Sequence, residues 1–390
     1  MIRRAHKIRL NPTPGQEAYF YRAAGIARFT WNWALEQYQA AKQRGEKVDW
    51  NEFKKEFRER IDAEAPFVRE VTKCAPEQAF ADLRQAINTY YQVKNKNPKS
   101  KLRFPGFRKR GKKVGGFGLA NDHFSLEGQT VRVPKLGEVN LAEPLRFGSS
   151  RILSGRIKFH AGRWYLVVTV ELAVQPVGAT GGSVGIDFGL SRLATLSTGE
   201  VIETQAHFLR NERKLKLAQR SLSRKRKGSR NRAKAKLRVA RCHARITNQR
   251  RDFLHKRTTE IVCAFAIVCV EDLCLKGMAQ TRLAKSVHDA SIGEAVRQLE
   301  YKATVVQKVG RYFPSSKRCH QCSHVHDGLT LSDRVWRCSQ CGAEHNRDVN
   351  AAINIEMEGR RLLAGSGYVG ATPVEFAVST LSFGLAQAAD

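Results

Sequence analysis

The stretch Val184-Gly185-Ile186-Asp187-Phe188-Gly189-Leu190 constrains the fold more than any other. Side chains alternate across a strand, so Val184, Ile186 and Phe188 can enter a core while Asp187 emerges on the opposite face. Gly185 and Gly189 flank that acid and are expected to leave room for a metal and a phosphate. A second carboxylate, Glu271, ends the apolar run Ala266-Ile267-Val268-Cys269-Val270 and is followed by Asp272. A third, Asp348, opens a helix reading Asn346-Arg347-Asp348-Val349-Asn350-Ala351-Ala352-Ile353. The three lie 84 and then 77 residues apart, so no local motif unites them. Only a fold can.

The order of elements says which fold. The Asp187 strand is followed by Leu193-Ala194-Thr195-Leu196, a Ser197-Thr198-Gly199-Glu200 turn and Val201-Ile202, three antiparallel strands before any long helix. A helical excursion, the Glu271 strand, an amphipathic helix (Ile292, Val296, Leu299, Ala303), a strand over 304–309 and a final helix complete the ribonuclease H order. In such a sheet the first and fourth strands are neighbours and the last helix crosses them, which predicts that Asp187, Glu271 and Asp348 converge. Hard oxygen ligands there suit two Mg²⁺ ions about 4 Å apart, with Mn²⁺ as a substitute. One ion would activate water and the other stabilise the leaving 3′ oxygen of a phosphodiester. Asp272 is expected to be a neighbour of Glu271 and not a ligand.

Cys319-His320-Gln321-Cys322 and Cys338-Ser339-Gln340-Cys341 are two CxxC knuckles with fifteen residues between them. Four thiolates at that spacing are the ligand set of a zinc ribbon holding one structural Zn²⁺. His324, His326 and His345 are alternative ligands that a complete set of cysteines makes unnecessary. The second knuckle ends seven residues before Asp348, so closing the site would fix where that helix starts. Cys74, Cys242, Cys263, Cys269 and Cys274 are expected to be reduced core thiols, not disulfides.

The partner is announced by charge. A formal net charge of +32 and a pI of about 10.2 exceed what solubility requires and call for a polyanion. Residues 209–257 carry about twenty Lys and Arg against two acids, Glu212 and Asp252, with a break at Lys227-Gly228-Ser229. Two helices folded back as an arm are expected there, gripping phosphates, with Arg224, Lys225 and Arg226 among the contacts. Residues 94–110 are basic, broken by Pro98 and Pro105, and carry Arg103, Phe104, Phe107 and Arg108, charge for phosphates and rings for bases. No signal peptide and no uninterrupted run of about 18 apolar residues is present, which predicts a cytoplasmic protein without a membrane partner.

The N-terminal half reads as a basic strand over 2–10, then Thr13-Pro14-Gly15-Gln16 as a capping box with proline at the first helical position. Phe20, Ala24, Ala27, Trp31, Leu35 and Tyr38 make one helical apolar stripe, and two more helices follow, one from Asp49 (Phe53, Phe57, Ile61) and one from about Pro76 through Tyr90. Short alternating segments from Phe117 to about Leu172 then predict a small antiparallel barrel or sheet, with a hairpin turning at His160-Ala161-Gly162-Arg163. The fold class is therefore α+β and multidomain. A small β-barrel (1–10 and 117–182) carries an inserted helical bundle (11–116). A ribonuclease H-like α/β domain (183–314 and 346–363) carries an inserted zinc ribbon (315–345). Residues 175–182 read as a linker and 364–390 as a disordered tail.

These residues resemble the TnpB (OrfB) family, transposon-encoded RNA-guided DNA endonucleases with a RuvC-type domain, related to type V CRISPR effectors. The resemblance lies in Lys7-Ile8-Arg9-Leu10-Asn11-Pro12-Thr13, Gly185 to Leu190, Val270-Glu271-Asp272-Leu273, Leu283 to Lys302, Phe313-Pro314-Ser315-Ser316-Lys317, both CxxC pairs and Arg347 to Ala352. It spans residue 5 to about 356. It implies a wedge barrel with a recognition bundle, a RuvC domain with a zinc-containing target-binding insertion, a guide RNA from the transposon end, and double-strand breaks in DNA beside a short adjacent motif. By the same resemblance Gln78 is a candidate reader of that motif, with Lys73, Asn121 and the Phe117 to Leu119 turn as weaker ones. Two rivals are an RNA-guided repressor without cleavage, which would lack one of the three carboxylates, and a transposase or its accessory protein, which would join strands.

Overall fold

The computed structural model describes residues 2–111, 114–148, 150–173, 181–330 and 332–366. Residues 175–180 of the expected linker and 367–390 of the expected tail lie outside them. The chain divides into two compact units, Met1–Val174 and Gln175–Asp390.

In the first unit, β1 (Ile2–Asn11) leads into α1 (Pro14–Gln43), α2 (Trp50–Glu64), a 3-10 turn (Pro66–Glu70) and α3 (Cys74–Lys96). Thr13 caps α1 as the sequence predicts: its hydroxyl accepts from Gln16 N at 3.3 Å, and the Gln16 carboxamide accepts from Thr13 N at 3.0 Å. All six residues of the α1 stripe are buried, as are Phe53, Phe57 and Ile61 of α2. Short strands β2 (Gly116–Ala120), β3 (Ser125–Glu127), β4 (Thr130–Val133) and β5 (Gly137–Leu141) follow. The long hairpin β6 (Arg151–His160) and β7 (Arg163–Leu172) completes the unit. Ala161 and Gly162 both take positive φ, 50° and 80°, which gives the two-residue turn whose twist matches its strands.

These strands form one antiparallel sheet in the order β2-β6-β7-β1-β5-β4-β3, with the helices inserted between β1 and β2. The expected barrel is an open ladder: among the described residues β2 and β3 each pair with one neighbour. β1 joins its two parts, residues 2–9 pairing with β7 while Leu10 and Asn11 pair with β5. The expected turn at Phe117 to Leu119 is instead the middle of β2, with both side chains about 1% exposed in the core.

The second unit begins with β8 (Ser183–Phe188), β9 (Arg192–Leu196) and β10 (Val201–Glu203), then the arm helices α4 (His207–Ser223) and α5 (Arg230–Ala264). Next come β11 (Ile267–Glu271), α6 (Leu275–Met278), α7 (Ala284–Ala290), α8 (Ile292–Lys302), β12 (Val305–Val309), the ribbon strands β13 (Val335–Arg337) and β14 (Glu344–Asn346), and α9 (Arg347–Gly365). The main sheet runs β10-β9-β8-β11-β12. Its first three strands are antiparallel, and β11 lies parallel to both β8 and β12. Val184, Ile186, Val268 and Val270 face a core shared with α5 and α8, through Leu254, Ile261, Val262, Ala295 and Leu299. The opposite face takes α9. No described helix is long and apolar enough to cross a membrane.

Candidate active centre and its cysteine clamp

The register of the parallel pair fixes the first two acids. Ile186 lies opposite Val270, so Asp187 and Glu271 come next on adjacent strands and project to the same face, at the carboxyl ends of β8 and β11. That face is α9's. A Cβ on Gly185 would stand 1.9 Å from Ala352 O, and one on Gly359 of α9 would stand 2.4 Å from Cys269 Sγ. The room left by Gly185 therefore serves helix packing, not a metal and a phosphate as expected; a Cβ at Gly189 would meet Arg192 O at 2.9 Å.

The third acid follows from the same contact. Asp348 is one helical turn before Ala352, about 6 Å along the axis, and Asp187 is two residues beyond Gly185, a comparable rise. With Ser183 Oγ donating to Glu356 at 2.5 Å further down, α9 runs back along β8 from the end that carries Asp187. Asn346 caps α9, its side chain accepting from Asp348 N and Val349 N, both at 3.2 Å, so the Asp348 carboxylate sits in a first turn favourable to negative charge.

The three acids feel one another's charge only in part. Burial, then the charges of Asp348 and Glu271, push the Asp187 carboxyl up to about 7, with Arg347 opposing. Burial and then Asp272 raise Glu271. Asp348 turns its oxygens to Arg334 Nη1 at 3.4 Å and Arg192 Nη1 at 3.9 Å. Among the described residues the three acids do not bring one oxygen each within 4.8 Å of one another. One shared ion would need that closeness. Two ions about 4 Å apart, each reaching its ligands at about 2.1 Å, do not. The donor set suits hard divalent cations, whose charge would take over the role now played by the two arginines. Asp272 is drawn away to Arg311 at 2.8 Å, which leaves it a neighbour.

Cys319, Cys322, Cys338 and Cys341 hold their four sulfurs within 4.8 Å of one another, with Cys319 to Cys341 at 3.7 Å and Cys322 to Cys338 at 3.6 Å. A tetrahedron with metal–sulfur bonds of about 2.3 Å has edges of about 3.8 Å, so the set fits zinc. His345 Nε2 lies 3.0 Å from Cys319 Sγ, His324 meets Ser339 Oγ at 3.2 Å, and His326 packs on Trp336; none joins the sulfur group. Of the other cysteines Cys74 and Cys269 are buried, while Cys242 is half-buried and Cys263 and Cys274 are exposed, so the core expectation fails for those three.

Sequence reasoning missed the link between the two sites. Asn350 and Asn354 are buried on α9. Asn350 accepts from His320 N at 3.1 Å and donates to Arg318 O at 2.8 Å, and Asn354 donates to Ser315 O at 2.9 Å. The first knuckle is thus clamped to the helix that carries Asp348. The signal available was two asparagines four apart in an otherwise apolar helix stripe.

The nucleic-acid candidates separate. Arg224, Lys225 and Arg226 are exposed at the tip of the two-helix arm, which Arg232 closes by donating to Leu222 O and Lys225 O at 3.0 and 2.8 Å. Glu212 pairs with Lys216 and Lys285, Asp252 with Lys256 and Arg257 with Glu260, and among the described residues most other arm cations have no ion pair with an acid. Also missed was Asp289, whose buried carboxylate accepts from Phe208 N at 2.8 Å and so caps α4 from α7. Lys73 and Asn121 are exposed, and Gln78 packs against Gly118, where a Cβ would stand 2.5 Å from its Cγ. Arg103 is exposed. Phe107 is 53% exposed, but Phe104 is packed among Tyr38, Tyr90 and Tyr91; Arg108 is exposed, with one face of its guanidinium 3.4 Å over the Trp31 ring.

The chain matches three protein families: a probable transposase over residues 166–282, a Cas12f1-like TNB domain over 293–355 and a helix-turn-helix domain over 1–47. A Streptomyces pristinaespiralis protein named as an RNA-guided DNA endonuclease is 35% identical over 366 residues, 91% of this chain and 89% of its own. InsQ of Escherichia coli (strain K12), named in the same way, is 32% identical over 389 residues, 92% and 93% of the two chains. A Cas12f1–sgRNA–target DNA complex aligns at 15% identity with a TM-score of 0.32, covering 91% of this chain and 99% of that one.

Proposed function

The chain belongs to the TnpB family, and from that premise we propose that it is an RNA-guided DNA endonuclease whose RuvC-type centre is Asp187, Glu271 and Asp348. What supports the reading is the register that puts Asp187 and Glu271 side by side at the carboxyl ends of β8 and β11, on the face against which α9, the helix of Asp348, packs. Two Mg²⁺ ions, when bound, supply an activated water and a stabilised leaving oxygen. The chain's own part is positional. Asp187 and Glu271 are set by the sheet register, and Asp348 by the Asn346 cap. Asp187 must lose its proton before it can act as a ligand, because burial and like charge hold that proton to about pH 7.

The four cysteines hold one Zn²⁺ in a ribbon, and Asn350 and Asn354 carry its position to α9. The second unit is read as the nuclease domain with its ribbon and basic arm, and the first as wedge and recognition bundle. Guide RNA and target DNA are the polyanions that answer the charge of +32. Base pairing supplies sequence, and Lys73, Gln78 and Asn121 are the candidate readers of the adjacent motif.

Purified protein with its copurified RNA, given Mg²⁺ and a plasmid matching that RNA, should make double-strand breaks. The Asp187→Ala complex should bind the same RNA and leave the plasmid intact. Cutting by that variant at the wild-type rate would reject the centre. Strand joining in place of breaks would favour the transposase reading.

A further inference from the structure

Strand β12 ends at Val309, level with Glu271 in the parallel ladder, and Asp272 N donates to Val309 O at 3.1 Å. The next four residues, Gly310 to Phe313, form a β-turn closed by Phe313 N donating to Gly310 O at 3.0 Å. Arg311 and Tyr312 therefore occupy its two corners. Arg311 fastens one side, its Nε donating to Asp272 O at 3.1 Å and its Nη2 to Asp272 Oδ2 at 2.8 Å. Phe313 fastens the other by packing on the small core of Cys269, Val309 and Ile355.

Between these anchors Tyr312 is 94% exposed, more than any other large hydrophobic side chain among the described residues. A flexible surface tyrosine can fold down on its neighbours. This one is held out by a hydrogen-bonded turn tied to the residue after Glu271. The turn also stands beyond the carboxyl ends of the parallel strands, the edge where open α/β sheets take their ligands.

We propose that Tyr312 is a stacking platform for a nucleobase of the DNA strand that enters the carboxylate centre. The inference rests on the nuclease reading above. A phenol ring offers a flat face to any base, which suits a centre that must cut whatever sequence the guide selects. Arg311 is spent on Asp272, so the contact is with the base and not with phosphate. Tyr312 is thereby a substrate-binding residue set beside the metal ligands and not one of them.

The test uses the guide-loaded protein. Tyr312→Phe and Tyr312→Trp keep a π face and should cut within about twofold of wild type. Tyr312→Ala should slow single-turnover cutting roughly 5- to 150-fold, the factor that about 1–3 kcal/mol of base–aromatic stacking represents. In complexes also carrying Asp187→Ala, 2-aminopurine scanned along the target DNA should be quenched at one or two positions with Tyr312 and unquenched with Tyr312→Ala. Wild-type rates for Tyr312→Ala, or a Tyr312→Phe defect as large as the alanine's, would overturn the stacking role. So would quenching confined to 2-aminopurine placed in the guide RNA. If the wild-type complex makes no guide-dependent cuts, the nuclease reading falls and takes this inference with it, an outcome separate from all of these.

Discussion

A Cβ on Gly185 would stand 1.9 Å from the carbonyl oxygen of Ala352, so strand β8 and helix α9 meet backbone to backbone. Both partners are backbone, and neither can swing aside. Gly185→Ala must push α9 off the sheet or strain β8, at a cost of about 1–3 kcal/mol or more. Asp348 moves with the helix. The expected result is a lowered denaturation midpoint together with lost cutting, while RNA binding by the basic arm persists. A variant that cuts normally would show that α9 need not lie this close.

Asp187 predicts a pH dependence with a definite sign. Its carboxyl is raised from 3.8 to about 7, so between those values the metal-free native state holds a proton that the unfolded state has released. Its contribution to stability is complete below about pH 4 and is lost as pH rises through 7. Asp187→Asn keeps a neutral side chain throughout. It should melt close to wild type at pH 4 and above it at pH 8 in Mg²⁺-free buffer. In the wild type, Mg²⁺ must displace the proton, so the melting shift it produces should grow towards pH 7 and then level off. A shift that is flat from pH 5 to 8 would contradict this assignment.

How much of this was legible in the sequence differs residue by residue. The alternation around Asp187, the run before Glu271 and the CxxC spacing report local periodicity and ligand chemistry, and those readings survive in the strands and the sulfur cluster. What was not legible depends on contacts between distant residues. Gly185 looked like space for a ligand because a sequence does not show that Ala352 approaches it. Phe104 looked like a free ring because Tyr38, Tyr90 and Tyr91, which pack around it, lie on helices distant in sequence. The carboxamides of Asn350 and Asn354 carried no visible partner until the first knuckle was seen beside them.

That clamp makes the cysteine site a positioning device as well as a staple. Asn350→Ala leaves the donor His320 N without its acceptor, while Arg318 O keeps only the Asn354 carboxamide at 2.5 Å, a loss of about 1–3 kcal/mol. The four sulfurs are untouched, so zinc content should stay at one per chain. The Mg²⁺ concentration for half-maximal cutting should rise several-fold, because Asp348 is less firmly placed. Cys338→Ser should lose both zinc and cutting. Unchanged Mg²⁺ dependence in the asparagine variant would confine the clamp to stability.

Asp289 offers the last test, because it separates the grip on nucleic acid from the chemistry. Ala206, the residue before α4, has a left-handed φ of 46° and no capping side chain, so the first amides of the arm look elsewhere for an acceptor. The Asp289 carboxylate supplies it, at 2.8 Å and 3.0 Å from Phe208 N. Removing a side-chain cap costs about 0.5–2 kcal/mol, and here the loss falls on the root of a lever whose far end carries Arg224, Lys225 and Arg226. Asp289→Ala should therefore speed amide exchange in α4 and weaken RNA binding several-fold. Asp289→Asn, which keeps an acceptor oxygen, should recover most of both. None of the three carboxylates proposed as the centre is touched, so at saturating RNA the alanine variant should cut at the wild-type rate. A rate defect that saturating RNA leaves in place would mean that the arm's root also sets the centre, and that grip and cutting are coupled through α7.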